Sequence, residues 1–450
     1  MPRVLIISPR FAPVNAPDMQ RVRLALPHLR AHGWDPVVLA LAPDCIEGAV
    51  REPLLEQTYP DDIRVIRVRG LPARLTRPFG FGNLWWRCGY ALRRAGDALL
   101  AQEKFDLVFF STTQFDAFSL GPRWLRRFGV PYVLDYQDPW VNDYYARTRT
   151  RPPGGPLKFA LSQFKARRRE PDCVRHAAAI IAVSPAYLET LRIRYPDTFA
   201  RPRQPLPPPP PPPALHALPF GAADADLAHA ARHIPARPLV NFDDGLFHHV
   251  YTGRLGPDMT FALTVLFRAF RRFRDSHPAA AARQRFHFIG TDYAPPPLGR
   301  EWALPLARSE GIETHVTEHC ARIPYFESLH YLARAQALTL PGSTDSTYSA
   351  SKIFPCLLAR RPLLLIFHHA SPVLQFAASC NAGIRIAFSD TTQATASALA
   401  AEVCERWFEG GAQHAPATLD ETAFRPFTAA ALTARLAGIF DAAVVPLPPR

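Results

Sequence analysis

Lysine is almost missing from this chain. Four occur, Lys104, Lys158, Lys165 and Lys352, among 52 basic residues, so arginine carries nearly all of the formal net charge of +13. Arginine clusters at 123–127 and 167–169 come without a helix-turn-helix, finger or RNP pattern, which argues against a nucleic-acid partner. Long apolar runs are missing too. Val4–Ile7, Leu107–Phe110 and Leu363–Phe367 are each strand length, far below the roughly 20 residues of a membrane span. The opening MPRVLIISPR is cut by an arginine and reads as a first strand rather than a signal peptide. The seven cysteines are scattered and odd in number, and no two form a CxxC pair. Reduced thiols in a cytoplasm are the expectation. No zinc spacing occurs, so no metal is expected.

What is present is a regular alternation. Apolar runs at 3–8, 35–42, 63–68, 105–111, 130–135 and 179–183 are separated by segments of helical periodicity at 19–32, 83–102, 117–128 and 157–178. Residues 201–213, with seven consecutive prolines at 207–213, interrupt this order and predict a polyproline II excursion at the surface. The alternation then restarts, with strands expected at 247–252, 285–289, 315–318, 337–340, 362–367 and 383–387. Helices are expected at 261–276, 298–310, 325–335, 352–361 and 394–409, with a last helix at 428–442. Two successive runs of βαβ units predict an α/β chain of two Rossmann-like, doubly wound domains facing each other across a cleft.

Ligands of open parallel sheets bind outside the carboxyl ends of the strands, which directs attention to the loops there. One is Pro9–Pro13, with Arg21 a turn into the helix that follows. A second is DYQDPW, where Asp135 and Asp138 could act as a base or grip sugar hydroxyls, and Tyr136 and Trp140 could face a sugar ring. A helix cap with buried aromatics explains that segment equally well. A third is Tyr251–Leu255, where Gly253 allows close approach and Arg254 could hold a diphosphate. The fourth is the hydroxyl-rich stretch from Pro341 to Lys352, a candidate anion site that ends on the one lysine after position 165.

These segments, taken in order, resemble the GT-B glycosyltransferases of family 4, the retaining "group 1" type. The resemblance rests on VLIISPRFAP, FDLVFFST, GVPYVLDYQDPW, AAAIIAVSPAYLETL, LPFGAADAD, YTGRLG, FHFIG, IPYFESLHYLARAQALTLPGS and SASKIFPCLLARRPLLLIF. It implies an acceptor-side domain at 1–217 carrying the proline-rich insertion, a linker at 218–236 and a nucleotide-sugar domain at 237–420. A C-terminal segment at 421–450 would cross back to the first domain. It further implies metal-independent transfer of a sugar, without a cofactor, from a nucleotide-diphosphate sugar to a saccharide or lipid-linked acceptor in surface polysaccharide or glycolipid synthesis. Arg254 and Lys352 would clamp the diphosphate, Gly253, Ser343, Tyr348 and Ser351 would line the donor pocket, and Arg21, Asp135, Asp138 and Trp140 would face the acceptor. Asp138, Arg254 and Lys352 would carry catalysis.

The sequence departs from the family in three places. Thr347 and Pro355 stand where many members carry two glutamates, no lysine follows Arg254 closely, and Ser111–Gln114 replaces a frequent histidine. A catalytically inactive binder and a sugar-nucleotide epimerase of the same fold are the alternatives. A peripheral contact with the inner face of a membrane is a further expectation. It comes from Trp85–Arg94, where aromatics and arginines share one helix, although simple packing of that helix on the sheet is favoured.

Overall fold

The structure is a computed structural model that describes residues 1–48, 50–76, 82–143, 155–200, 212–292, 299–346, 348 and 351–444. All counts below refer to these residues. The chain divides into two compact units. Met1–Phe220 and the final helix make the first, and Gly221–Thr428 the second.

The first unit is built on a seven-stranded parallel sheet. Its strands are β1 (Arg3–Ile7), β2 (Asp35–Leu41), β3 (Arg64–Val68), β4 (Leu107–Ser111), β5 (Tyr132–Tyr136), β6 (Ala179–Ala182) and β7 (Ala214–Ala217). They lie in the order β3-β2-β1-β4-β5-β6-β7. β1, β4 and β5 are fully or almost fully buried, which is why they read as unbroken apolar runs rather than alternating ones. Helices α1 (Gln20–Leu29), α2 (Leu84–Gln102), α3 (Leu120–Phe128), α4 (Pro156–Arg175) and α5 (Pro185–Arg194) connect them. Asn83 caps α2 by accepting from the backbone N–H groups of Trp85 and Trp86.

The second unit carries a six-stranded parallel sheet. Its strands are β8 (Phe247–Thr252), β9 (Gln284–Ile289), β10 (Val316–His319), β11 (Ala337–Pro341), β12 (Leu363–His368) and β13 (Ile384–Phe388), in the order β10-β9-β8-β11-β12-β13. Its main helices are α6 (Asp224–Arg232), α7 (Thr260–Ser276), α8 (Ala303–Ser309), α9 (Tyr325–Arg334), α10 (Ile353–Leu358), α11 (Pro372–Ser379) and α12 (Gln393–Val403). The last helix, α13 (Ala429–Val444), packs on α1 of the first unit. There Phe440 is fully buried between Trp34, at 5.4 Å, and Phe109, at 5.1 Å. Asp441 also accepts a 2.9 Å hydrogen bond from the Trp34 indole.

Several elements depart from the expectations. β7 follows the prolines directly and extends the first sheet by four residues. α6 occupies the expected linker and packs on α9, with Asp226 accepting from Tyr325 at 2.8 Å, so residues from 221 onward belong to the second unit. α11 fills a stretch that periodicity left blank. The helix expected at 298–310 starts only at Ala303, and the one at 352–361 spans only Ile353–Leu358. The expected polyproline excursion lies outside the described residues except for Pro212 and Pro213.

Candidate functional site

Each sheet reverses its strand order once, between β1 and β4 in the first unit and between β8 and β11 in the second. At such a switch point the two flanking connections diverge to opposite faces and leave a crevice at the carboxyl ends. The chemistry-bearing residues gather at these two places.

In the first unit, the loops after β1 and β4 are joined through Asp18. Its buried carboxylate accepts from the Thr112 hydroxyl at 3.0 Å and the Thr113 backbone N–H at 3.1 Å. Arg10 forms an ion pair with it at 2.9 Å and also donates to the Thr113 hydroxyl. Asp138 lies nearby, on the loop after β5. Its side chain reaches solvent, but the surrounding protein leaves it poorly hydrated. Burial, together with the negative charge of Asp18 and against the pull of Arg10, raises its pKa to about 6.

Asp135, Arg21 and Trp140 are not available to an acceptor. Arg21 Nε donates to Asp135 at 2.7 Å, and its Nη2 donates to the Leu218 carbonyl at 2.6 Å. Asp135 also accepts from Ser111 at 2.8 Å and Gln137 at 3.0 Å, and is fully buried. The pair therefore ties α1 to β5 and to the end of the first unit. Trp140 stacks on Phe115 at 6.0 Å, and Tyr136 does so at 6.1 Å. Both rings are buried, so they offer no open face to a sugar. The core reading of DYQDPW thus holds for Asp135, Tyr136, Gln137 and Trp140, whereas Asp138 is exposed and no helix starts at this segment among the described residues.

In the second unit, the turn after β8 meets the loop after β11. Gly253 has φ +152°, a conformation that favours glycine, and a side chain there would meet the Tyr251 hydroxyl at 3.0 Å and Lys352 Cε at 3.5 Å. Arg254 grips Asp258 in two-pronged fashion, each contact 3.0 Å. Its guanidinium also lies 5.9 Å from the Tyr348 ring centre. Burial opposes the charge on Arg254, but Asp258 more than compensates, so its pKa stands above the ordinary value. Burial likewise works against the Asp258 charge, and Arg254 with Ser343 outweighs it, leaving that carboxyl below its usual range. The Asp258 carbonyl accepts from the Thr344 N–H at 2.8 Å, which locks turn to loop. Gly342 sits so close to the Phe367 ring that a Cβ would approach it to 2.4 Å.

Lys352 closes this group from the start of α10. It is half-buried, and burial, reinforced by Arg322 and opposed by Cys356, lowers its pKa. No carboxylate pairs with it among the described residues. Gly253, Arg254, Ser343, Tyr348 and Lys352 thus lie within one locale, while Ser351 is exposed at its margin. Sequence reasoning missed Arg10, Asp18, Thr113 and Asp258, whose roles depend on partners distant in the chain or on the fold of a turn. Pro355 lies inside α10 and offers neither a side-chain donor nor an acceptor, and Thr347 lies outside the described residues. Among the described residues no group of His, Cys, Asp or Glu is arranged to hold a metal ion.

Two doubly wound parallel units of this order, with their polar loops at both switch points, define the GT-B class of fold. Within that class, residues 20–208 match the family described as Glycosyl transferase 4-like domain. Solved structures share the fold over the whole chain. A UDP-forming α,α-trehalose-phosphate synthase from Burkholderia xenovorans gives a TM-score of 0.59 at 14% identity, covering 98% of this chain and 99% of that one. HepE from Anabaena, solved in complex with UDP, gives 0.56 at 14% identity, covering 97% and 99%. WaaG, a glycosyltransferase involved in lipopolysaccharide biosynthesis, gives 0.55 at 13% identity, covering 97% and 99%. No curated protein matches the sequence.

Proposed function

We propose that the chain is a working glycosyltransferase that moves a sugar from a nucleotide-diphosphate donor to a saccharide or lipid-linked acceptor, in the synthesis of a surface polysaccharide or glycolipid. The observation that carries this reading is the pairing of Arg254 and Lys352 around Gly253 at the switch point of the second sheet. Two cations beside a residue without a side chain suit a diphosphate that must come close to the backbone. The half-buried Lys352 ammonium has lost hydration without gaining a carboxylate partner among the described residues, and a phosphate oxygen would supply the counter-charge. The start of α7 nearby adds the positive end of a helix dipole. As the bond from sugar to diphosphate breaks, charge grows on the leaving oxygen, and both cations stabilise it without a metal. The glycosidic configuration would be retained.

On the acceptor side, Asp138 and the Arg10–Asp18–Thr113 group supply polar contacts. Asp138, with its raised pKa, can accept a proton from an attacking hydroxyl more readily than an ordinary aspartate. The protein would work in the cytoplasm, peripheral to the inner face of a membrane. No helix among the described residues is long and apolar enough to cross one. Titration calorimetry with UDP, GDP and ADP tests the donor site. At least one should bind, and Arg254→Ala and Lys352→Ala should each weaken it about ten- to hundredfold, the worth of one charge-assisted contact. Equal affinity in parent and variants would misplace the site. Pro355, where the family has a ribose-binding glutamate, favours a second reading: a protein that binds the nucleotide without turnover.

A further inference from the structure

Large apolar side chains that face solvent concentrate on two neighbouring helices of the first unit. On α2, Trp86 and Tyr90 are one turn apart. On α4, Leu157, Leu161 and Phe164 recur at helical spacing. Their exposures run from 53% for Trp86 to 87% for Leu157. The two stripes form one face, because Lys165 Nζ sits 4.5 Å from the Trp86 ring centre. A depression of about 280 Å³ lies there, lined by Trp85, Trp86, Tyr90, Arg93, Lys165 and Arg169.

The unpaired charge on this face has one sign. No aspartate or glutamate occurs within 84–96 or 156–169. The arginines at its edge are matched: Arg123 and Arg127 bond Asp97, Arg167 bonds Asp143 and Arg169 bonds Asp116. Arg93, Arg94, Lys158, Lys165 and Arg168 have no carboxylate partner among the described residues. Arg93 and Arg168 lie instead over Tyr90 and Phe164, at 5.1 and 5.7 Å. A second copy of the chain would set this positive face against itself. An anionic lipid surface matches it on both counts, since aromatic and aliphatic side chains enter the acyl boundary while long cationic ones reach up to phosphates.

We propose that the joint face of α2 and α4 docks the protein on anionic lipid headgroups. This rests on the reading above that the acceptor is lipid-linked and names the surface that brings the enzyme to it. Flotation of the full chain tests it, with vesicles of phosphatidylglycerol and phosphatidylethanolamine against vesicles of phosphatidylcholine alone. The parent should float with the first and not the second, and 0.5 M salt should release it. Lys158→Gln/Lys165→Gln/Arg168→Gln should weaken partition about 100-fold, at about fivefold for each charge removed. Trp86→Ser/Leu161→Ser/Phe164→Ser should abolish it, and both variants should keep the parent's melting temperature and nucleotide affinity. Flotation of either variant like the parent, or no flotation of a parent that binds nucleotide, would overturn the docking surface and leave the donor site standing. A parent dimer that the serine variant turns into monomer, with no vesicle recovery, would overturn it in favour of self-association.

Discussion

Lys352 Cε lies 3.5 Å from the point where a side chain on Gly253 would begin. The two residues are 99 positions apart in sequence, on loops that only the order β8-β11 makes neighbours. Gly253→Ala therefore acts twice. It forces a side chain onto a left-handed backbone, a strain of about 1–3 kcal/mol, and it crowds both Tyr251 and the lysine. The variant should melt earlier than the parent and gain less stability on adding a nucleoside diphosphate. Thermal melts with and without the nucleotide check both effects.

The Arg21–Asp135 pair should behave as structure rather than as an acceptor site. Arg21→Ala leaves a fully buried carboxylate without its cation, a loss of about 3–5 kcal/mol. Chemical denaturation should show that loss. If Arg21→Ala instead unfolds like the parent and changes only acceptor KM, the pair belongs to the binding site after all.

Asp138 should give a pH-dependent stability with a defined sign. Its folded pKa of about 6 stands above the ordinary aspartate value, so its ionisation opposes folding. The penalty is complete above about pH 6 and fades as pH falls toward the unfolded value. Asp138→Asn should melt higher than the parent at pH 8 and match it at pH 3.5, while losing turnover at pH 8. Melting curves at the two values suffice, and an Asn variant that is less stable at pH 8 would refute the assignment.

Phe440 on α13 should be a keystone of the first unit despite lying near the end of the chain. It is fully buried between Trp34 and Phe109. Phe440→Ala should cost about 3–5 kcal/mol, as for a large core aromatic. Denaturant titration measures it directly.

The fold was legible because its strands are buried on both faces. Val4–Ile7 and Leu107–Phe110 cannot be anything but interior, and the helices between them show their period. What escaped was short or lacked a stripe. The four residues of β7 carry no pattern of their own, and α11 shows itself only through the Ser371 cap and Pro372 at its first turn. The donor-side residues were legible because glycine, arginine and a lone lysine are chemically distinctive at strand ends. The acceptor side was not, because DYQDPW reads alike whether its groups face a ligand or the core. Only the contacts of Asp135 with Arg21 and of Trp140 with Phe115 decide it, and Arg10 and Asp18 gain meaning from Thr112 and Thr113, about a hundred residues away.

The most direct test of the account is turnover itself. Parent protein, in the presence of a chelator, is incubated with a panel of nucleotide sugars and a membrane-lipid or saccharide acceptor fraction, and release of nucleoside diphosphate is followed. The account predicts release from at least one donor, stimulated by acceptor, insensitive to the chelator, and reduced by at least tenfold in Lys352→Ala. Release that is undiminished in Lys352→Ala, or none from any donor by a protein that binds the nucleotide, would contradict it.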